Sequence, residues 1–84
     1  MSQRRQDSEL RQSVLARDKY TCQLCFKRRS GRFLQVHHII MWSRSAHLRF
    51  EKSNCITLCK KCHKSIRNKE VHYESYFMRI INRG

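Results

Sequence analysis

Four cysteines are arranged as two pairs, each with two residues between its members. Cys22 and Cys25 form the pair in "CQLC", and Cys59 and Cys62 form the pair in "CKKC". A two-residue gap lets the chain curl so that both sulfurs of a pair face one point. Two such pairs supply the tetrahedral set of thiolates that zinc prefers, with Zn–S distances of about 2.3 Å. The spacing therefore predicts a closed, structural zinc site with no open position for catalysis.

The sequence leaves three other interpretations of these cysteines open: two disulfides, unligated core cysteines, or a thioredoxin-like redox pair. Zinc is favoured because a redox protein needs only one pair, and the expected βαβ pattern is absent. The start of the chain, "MSQRRQDSEL", lacks the apolar core of a signal peptide, so a reducing, intracellular setting is expected. The fifth cysteine, Cys55, is expected to be a small apolar residue of the core.

Two adjacent histidines, His37 and His38, interrupt an otherwise apolar run, "VHHII". Burying an imidazole ring without a partner is unfavourable, so this pair needs a chemical reason. Both histidines lie in residues 26–58, a segment between the cysteine pairs that is longer than the usual zinc-finger interval. Asn54 lies near the end of that segment, and His63 directly follows the last cysteine.

This His…Asn…His order, interleaved with two Cys-x-x-Cys pairs, resembles the HNH endonucleases and looks most like the small phage-type and homing-type members. The elements that carry the resemblance are "HHI" and "NCITLCKKCH", and it extends from about Arg11 to Lys69. It implies an α+β fold in which two antiparallel strands and a helix hold one divalent ion, the ββα-metal motif. The expected protein is a small zinc-stapled domain of this kind with flanking N- and C-terminal helices.

The resemblance also implies a role for each motif residue. His38 would be the general base that activates water, and Asn54 would hold the His38 ring in one tautomer. His37 would be a ligand of the catalytic ion (Mg²⁺, Mn²⁺ or Ni²⁺), and His63 would be a second ligand or a phosphate contact. These roles suit phosphodiester hydrolysis, which needs a base near neutral pH and a cation that stabilises charge on the phosphoryl and leaving oxygens.

Two features of the sequence depart from the simplest form of this site. Adjacent residues of a regular strand face opposite sides, so His37 and His38 reach one site only at a strand end, bulge or strong twist. Colicin-type members carry a further ligand one helical turn after the His63 position, where this chain has Arg67. Because arginine does not ligate metals, we expect weak metal binding that is completed when DNA is present, with Arg67 on the scissile phosphate.

The composition is strongly basic, with 19 Lys+Arg against 6 Asp+Glu, a formal net charge of +13 and a pI of about 10.4. An excess of this size predicts a polyanionic partner, and the partner expected is DNA and not a membrane, although the charge alone leaves an anionic membrane surface open. No stretch approaches the length of a transmembrane helix. The residues expected to contact the nucleic-acid backbone are Arg28, Arg29, Arg44, Lys60, Lys61, Lys64 and Arg67.

A single domain, residues 1–84, must position these side chains, and residues 1–6 are expected to be flexible. Helical spacing of apolar residues predicts a first helix from Asp7 or Ser8 to about Asp18, and another after Glu70. Between them, "FLQVHHII" and "ITLC" are expected to be strands, with an irregular loop at about residues 41–53 between them, and "KKCHKSIRNKE" a helix. The apolar residues that carry the helical spacing are Leu10, Val14, Leu15, Tyr73, Phe77, Ile80 and Ile81.

Three functions fit the charge and the cysteines. The favoured one is a metal-dependent DNA endonuclease or nickase, and the alternative is a non-catalytic zinc-binding nucleic-acid-binding module. A small adaptor with a basic face for an acidic protein is the third. Only the nuclease explains His38, Asn54 and His63 together. A cytoplasmic location in a bacterial or phage setting is expected, and a homodimer or a larger phage protein is left open as a partner.

Overall fold

The structure, a computed structural model, describes residues 3–41 and 46–82 of the chain. Arg44, one of the predicted nucleic-acid contacts, lies outside these ranges. The described residues form a small α+β arrangement of three helices and one two-stranded hairpin. Its elements are α1 (Gln3–Arg17), β1 (Leu34–His38), β2 (Cys55–Cys59), α2 (Lys60–Ser65) and α3 (Glu70–Ile81).

Helix α1 packs on the hairpin through Val14 and Leu15, which are buried as their spacing predicts. The predicted start of this helix at Asp7 or Ser8 is wrong, because α1 already begins at Gln3. The residues before the expected cap, "QRRQ", are good helix formers and continue the helix past it. The predicted end near residue 18 is confirmed, since α1 ends at residue 17 and the backbone turns left-handed at Lys19, with φ 56°.

Strands β1 and β2 form the expected antiparallel hairpin. In its register, His37 lies opposite Ile56 and His38 lies opposite Cys55. Because consecutive residues of a strand point to opposite faces of the sheet, the two histidines point to opposite sides. Strand β1 is shorter than "FLQVHHII" suggested, since a 3₁₀ turn over Gly31–Phe33 precedes it. Two further 3₁₀ turns, Ala46–Leu48 and Lys52–Asn54, lie in the described part of the connecting loop.

The helix predicted over "KKCHKSIRNKE" is interrupted in the structure. Helix α2 ends at residue 65, and Asn68, with φ 69°, turns the chain before α3 begins. This turn brings α3 back over the hairpin, where Phe77 is fully buried, as predicted. Tyr76, the residue before it, is 42% exposed, because it lies about 100° around the helix from Phe77.

Buried Cys55 also behaves as predicted, as a small residue of the core. Its thiol donates to the carbonyl of Glu51 at 3.4 Å. Burial raises the pKa of this thiol to about 11, with nearby Arg17 acting weakly in the opposite direction. The thiol therefore stays protonated at neutral pH, as is usual for a structural cysteine.

An ion pair between Arg17 and Asp18 lies at the end of α1, and both side chains form hydrogen bonds with the backbone of β2. The Arg17 guanidinium bonds both oxygens of Asp18 at 2.9 Å and also donates to the carbonyls of Lys52 and Cys55 at 2.8 and 2.6 Å. The Asp18 carboxylate in turn accepts the backbone N–H of Thr57 at 3.0 Å. Because the Asp18 side chain is only 8% exposed, these bonds replace water at the edge of the core.

Replacing Arg17 with alanine is expected to lower the free energy of unfolding by about 1–3 kcal/mol, because it leaves partly buried acceptors without a donor. Urea denaturation of the zinc-saturated protein, followed by circular dichroism, measures this change. Lys19→Ala removes a neighbouring exposed cation and is the matched control, expected to change stability little. Equal midpoints for the two variants would contradict the role given to Arg17.

Candidate functional site

The first cysteine pair lies in a tight turn between α1 and β1. The backbone N–H of Phe26 donates to the carbonyl of Cys22 at 2.8 Å, and Phe26 adopts a left-handed φ of 64°. The Cys22 sulfur accepts the backbone N–H groups of Leu24 and Cys25 at 3.4 and 3.5 Å. Such bonds favour the thiolate that a metal requires. Burial alone would raise the pKa of Cys22, but hydrogen bonds from nearby backbone groups, those at Cys25 and Cys59 first, lower it to about 7.

The second pair spans the junction of β2 and α2. Cys59 is the last residue of β2 and the N-cap of α2, where its sulfur accepts the backbone N–H of Cys62 at 3.4 Å. All four sulfurs lie within 4.8 Å of one another, and those of Cys25 and Cys59 are 3.9 Å apart. A tetrahedral zinc site with Zn–S bonds of about 2.3 Å has S–S edges of about 3.8 Å.

These distances favour zinc among the interpretations that the sequence left open. A disulfide requires an S–S distance of about 2.05 Å, whereas all five cysteines are free thiols here. The disulfide interpretation is therefore wrong, and convergence of four sulfurs on one point is not expected of unrelated core cysteines. The cluster of Cys22, Cys25, Cys59 and Cys62 fits a zinc site.

His37 is buried on the face of the hairpin that α2 and α3 cover. Its ring lies edge-on to His63, with centroids 5.4 Å apart, and edge-on to Phe77 at 5.8 Å. Although this side chain is only 6% exposed, its Nε2 atom has no hydrogen-bond partner among the described residues. A buried polar atom without a partner is unfavourable and calls for a ligand or water.

Both rings of this pair are held in the neutral form that metal binding requires. Burial lowers the pKa of His37 to about 4, and nearby His63 adds to the effect while Glu70 opposes it. Burial also lowers the pKa of His63, and Arg67 lowers it further. Each imidazole therefore keeps a lone pair at neutral pH, so the two rings fit a divalent ion that prefers nitrogen or mixed ligands.

The rings do not make a complete ligand set by themselves. Among the described residues, only the four cysteines form a compact group of three or more candidate metal ligands. Glu70, at the first turn of α3, affects both histidine pKa values but does not complete such a group. An ion at His37 and His63 would therefore need water or a substrate phosphate for its remaining positions.

His38 is held on the opposite side by a backbone carbonyl. Its Nε2 atom lies 2.8 Å from the carbonyl oxygen of Arg49. Because a carbonyl can only accept, Nε2 must carry the proton, and in the neutral ring Nδ1 keeps the lone pair. One tautomer is thus selected by a backbone group of the connecting loop, and not by Asn54. The sequence offers no signal for this contact, since every residue type has the same carbonyl.

Asn54 has a different partner from the one expected. It is 1% exposed, its Nδ2 donates to the carbonyl of Ile40, and its Oδ1 accepts the N–H of Ile40, both at 2.9 Å. Its own carbonyl accepts the N–H of Ile39 at 2.7 Å. The amide side chain matches the donor and acceptor of a peptide group, so Asn54 fixes the backbone just after His38. The expectation that it bonds the His38 ring directly is corrected accordingly.

The predicted nucleic-acid contacts do not all lie together. Arg29, Lys60 and Lys61 line one pocket beside the cysteine cluster, together with Lys27, which was not among the predicted contacts. Lys64 lies in α2, and Arg67 follows it near His63; both are exposed, as is Arg28. The positive charge therefore surrounds α2 on both its zinc side and its histidine side.

Replacing Cys59 with alanine is expected to abolish stoichiometric zinc binding, because three thiolates leave one position of the tetrahedron open. Cys55→Ala, which removes a thiol from the same strand, is the matched control and is expected to keep one zinc ion per chain. Elemental analysis of the purified proteins measures both, and the charge-transfer absorption of the Co²⁺-substituted forms reports the thiolate ligands. Equal zinc loss in the two variants would contradict the four-cysteine assignment.

The comparisons with known proteins agree with this geometry. The family model described as HNH endonuclease matches residues 22–69, more than half of the chain. The matched segment contains both cysteine pairs and the three motif residues His38, Asn54 and His63. No curated protein and no solved structure matches the chain significantly. Within residues 3–41 and 46–82, no helix is long and apolar enough to cross a membrane. The chain belongs to the HNH endonuclease family.

Proposed function

We propose that this protein is a metal-dependent DNA endonuclease or nickase that hydrolyses phosphodiester bonds with His38 as general base and one divalent ion. The observation that carries the proposal is the arrangement of the two adjacent histidines. His38 is held by the Arg49 carbonyl through Nε2, which leaves the lone pair on Nδ1. The ring of His37 lies 5.4 Å from that of His63, and its Nε2 has no partner among the described residues. Histidines that only stabilised the fold would need neither a lone pair left on His38 nor an unpartnered nitrogen on His37.

The different surroundings of His37 and His38 support a division of roles between them. A histidine that ligates the ion cannot use the same lone pair to take a proton from water. His38 is the last residue of β1, and this strand end would let its ring reach the phosphate bound by the ion that His37 and His63 would hold, without His38 itself being a ligand. Its lone pair is therefore kept for deprotonating the water that attacks the phosphorus atom.

The remaining groups position the reactants. His37 and His63 would hold the divalent ion, Mg²⁺, Mn²⁺ or Ni²⁺, which when bound stabilises negative charge on the phosphoryl and leaving oxygens. Arg67, exposed beside His63, would bind a non-bridging phosphate oxygen. Asn54 keeps the backbone after His38 in place, and orientation of this kind accounts for a large part of catalysis in a preorganised site.

A second function is favoured by one observation. His37 is nearly closed to solvent and packs against Phe77, which limits access of an ion from that side. A non-catalytic zinc module that binds nucleic acid would retain the same cysteines and the same positive charge. The two functions differ in whether a bound phosphodiester is cut.

Cleavage of supercoiled plasmid distinguishes them. The wild type is expected to convert plasmid to nicked or linear DNA with Mg²⁺, Mn²⁺ or Ni²⁺, and not in EDTA. His38→Ala is expected to lower the rate by about 100- to 10,000-fold, because the general base is lost. His72→Ala is the matched control: His72 is exposed on α3, and its loss is expected to leave the rate unchanged.

Zinc content and circular dichroism of each variant are measured in parallel, so that loss of activity is separated from loss of folding. Plasmid that is bound but left intact by the wild type with every metal would favour the binding module. Equal rates for His38→Ala and the wild type would show that another group is the base.

Binding of the second ion is expected to be weak in the absence of DNA, because His37 and His63 supply only two ligands. Titration calorimetry of the zinc-loaded protein with Mn²⁺ is expected to show little saturable binding. Addition of an uncut DNA analogue is expected to strengthen it, since phosphate oxygens can complete the coordination. Tight binding of one Mn²⁺ per chain without DNA would contradict this ligand set.

A further inference from the structure

A pocket of about 310 Å³ lies beside the cysteine cluster, and the proposed catalytic groups do not use it. Three zinc-site cysteines form one wall, so a bound ion would fill only a small part of the space. The other residues that line the pocket are Lys27, Arg29, Phe33, Lys60, Lys61 and Ser65. The volume is at the lower end of the range for small-ligand pockets, about 300–1,000 Å³, and suits one nucleotide-sized group.

The charge of this pocket selects an anion. Its four cations come from two separate segments, Lys27 and Arg29 after the first cysteine pair, and Lys60 and Lys61 between the members of the second. All four are exposed, and no described carboxylate forms an ion pair with them. A zinc ion with four thiolates carries a net charge of −2 and offsets part of this positive charge. The excess that remains favours a ligand that carries negative charge.

Phe33 adds an aromatic surface to these charges. It is 49% exposed, and the guanidinium of Arg32 lies 5.2 Å from its ring centroid. A single exposed phenylalanine is common on protein surfaces, and Phe26, 66% exposed, is one that lies outside the pocket lining. Phe33 differs because it shares a concave site with four cations. An exposed aromatic ring within a basic groove is the arrangement that binds unpaired nucleotides by base stacking.

We infer that this pocket binds one unpaired nucleotide of a DNA strand, with the base stacked on Phe33 and the flanking phosphates on Lys27, Arg29, Lys60 and Lys61. A base inside a duplex is already stacked on both faces and cannot enter a pocket of this size. The preferred substrate class is therefore DNA with a single-stranded segment, such as a gap, flap or open end. The choice of DNA rests on the proposed function, whereas the pocket exists independently of cleavage.

Fluorescence anisotropy with labelled oligothymidylate and with a blunt duplex, at one salt concentration, tests the inference. All variants are made in a His38→Ala background so that the DNA is not cut. Phe33→Leu is expected to weaken oligothymidylate binding at least about five-fold, as loss of one stacked base does, with little change for the duplex. Phe33→Trp is expected to retain binding, and Phe26→Leu, the matched control, to leave it unchanged.

Two results would overturn the inference: equal oligothymidylate affinity for Phe33→Leu and Phe26→Leu, or an equal loss of affinity for oligothymidylate and duplex in Phe33→Leu. Plasmid cleavage is measured separately, with variants of Phe33 and Phe26 that retain His38. A protein that cuts plasmid but shows no effect of Phe33 refutes the pocket alone. A protein that does not cut but needs Phe33 for single strands refutes the proposed endonuclease and upholds the pocket.

Discussion

Convergence of four sulfurs on one point is the constraint on which the rest of this structure depends. The cysteine pairs bracket the hairpin in sequence, so closing the cluster fixes the chain before β1 and the end of β2 together. A chain of 84 residues with few elements buries only a small core. Metal binding of this kind supplies folding free energy directly. Cys59 also caps α2, so the same site fixes where that helix begins.

The position of α2 carries this constraint to the histidines. His63 follows the last cysteine, and its ring reaches His37 across the face of the hairpin. Phe77 of α3 closes that side and excludes water, which keeps the His37 ring neutral. On the other side, Asn54 and the carbonyl of Arg49 hold the backbone and ring of the next residue. The cysteine cluster and the candidate catalytic groups are thus parts of one packed unit.

Positively charged residues predominate around the same unit. Asp18 is engaged with Arg17 at the edge of the core, and Glu70 lies near His37 and His63. Lys60, Lys61, Lys64 and Arg67, in and after α2, outnumber it there. One group of cations borders the zinc pocket, and another follows α2 towards His63. A DNA strand that contacts both would pass the candidate active site, so backbone binding and positioning for cleavage would use one surface.

The sequence by itself determined the zinc site, the hairpin and the membership of the nuclease family. Cys-x-x-Cys spacing, the His…Asn…His order and the apolar runs are local properties that survive in any context. Only the tertiary structure decided that His37 and His38 face opposite sides, that Asn54 holds Ile40, and that Arg49 holds His38. Backbone carbonyls and N–H groups are the same for every residue type, so no sequence pattern predicts which of them a side chain will meet. The pocket at Phe33 likewise exists only because folding brings two distant basic segments together.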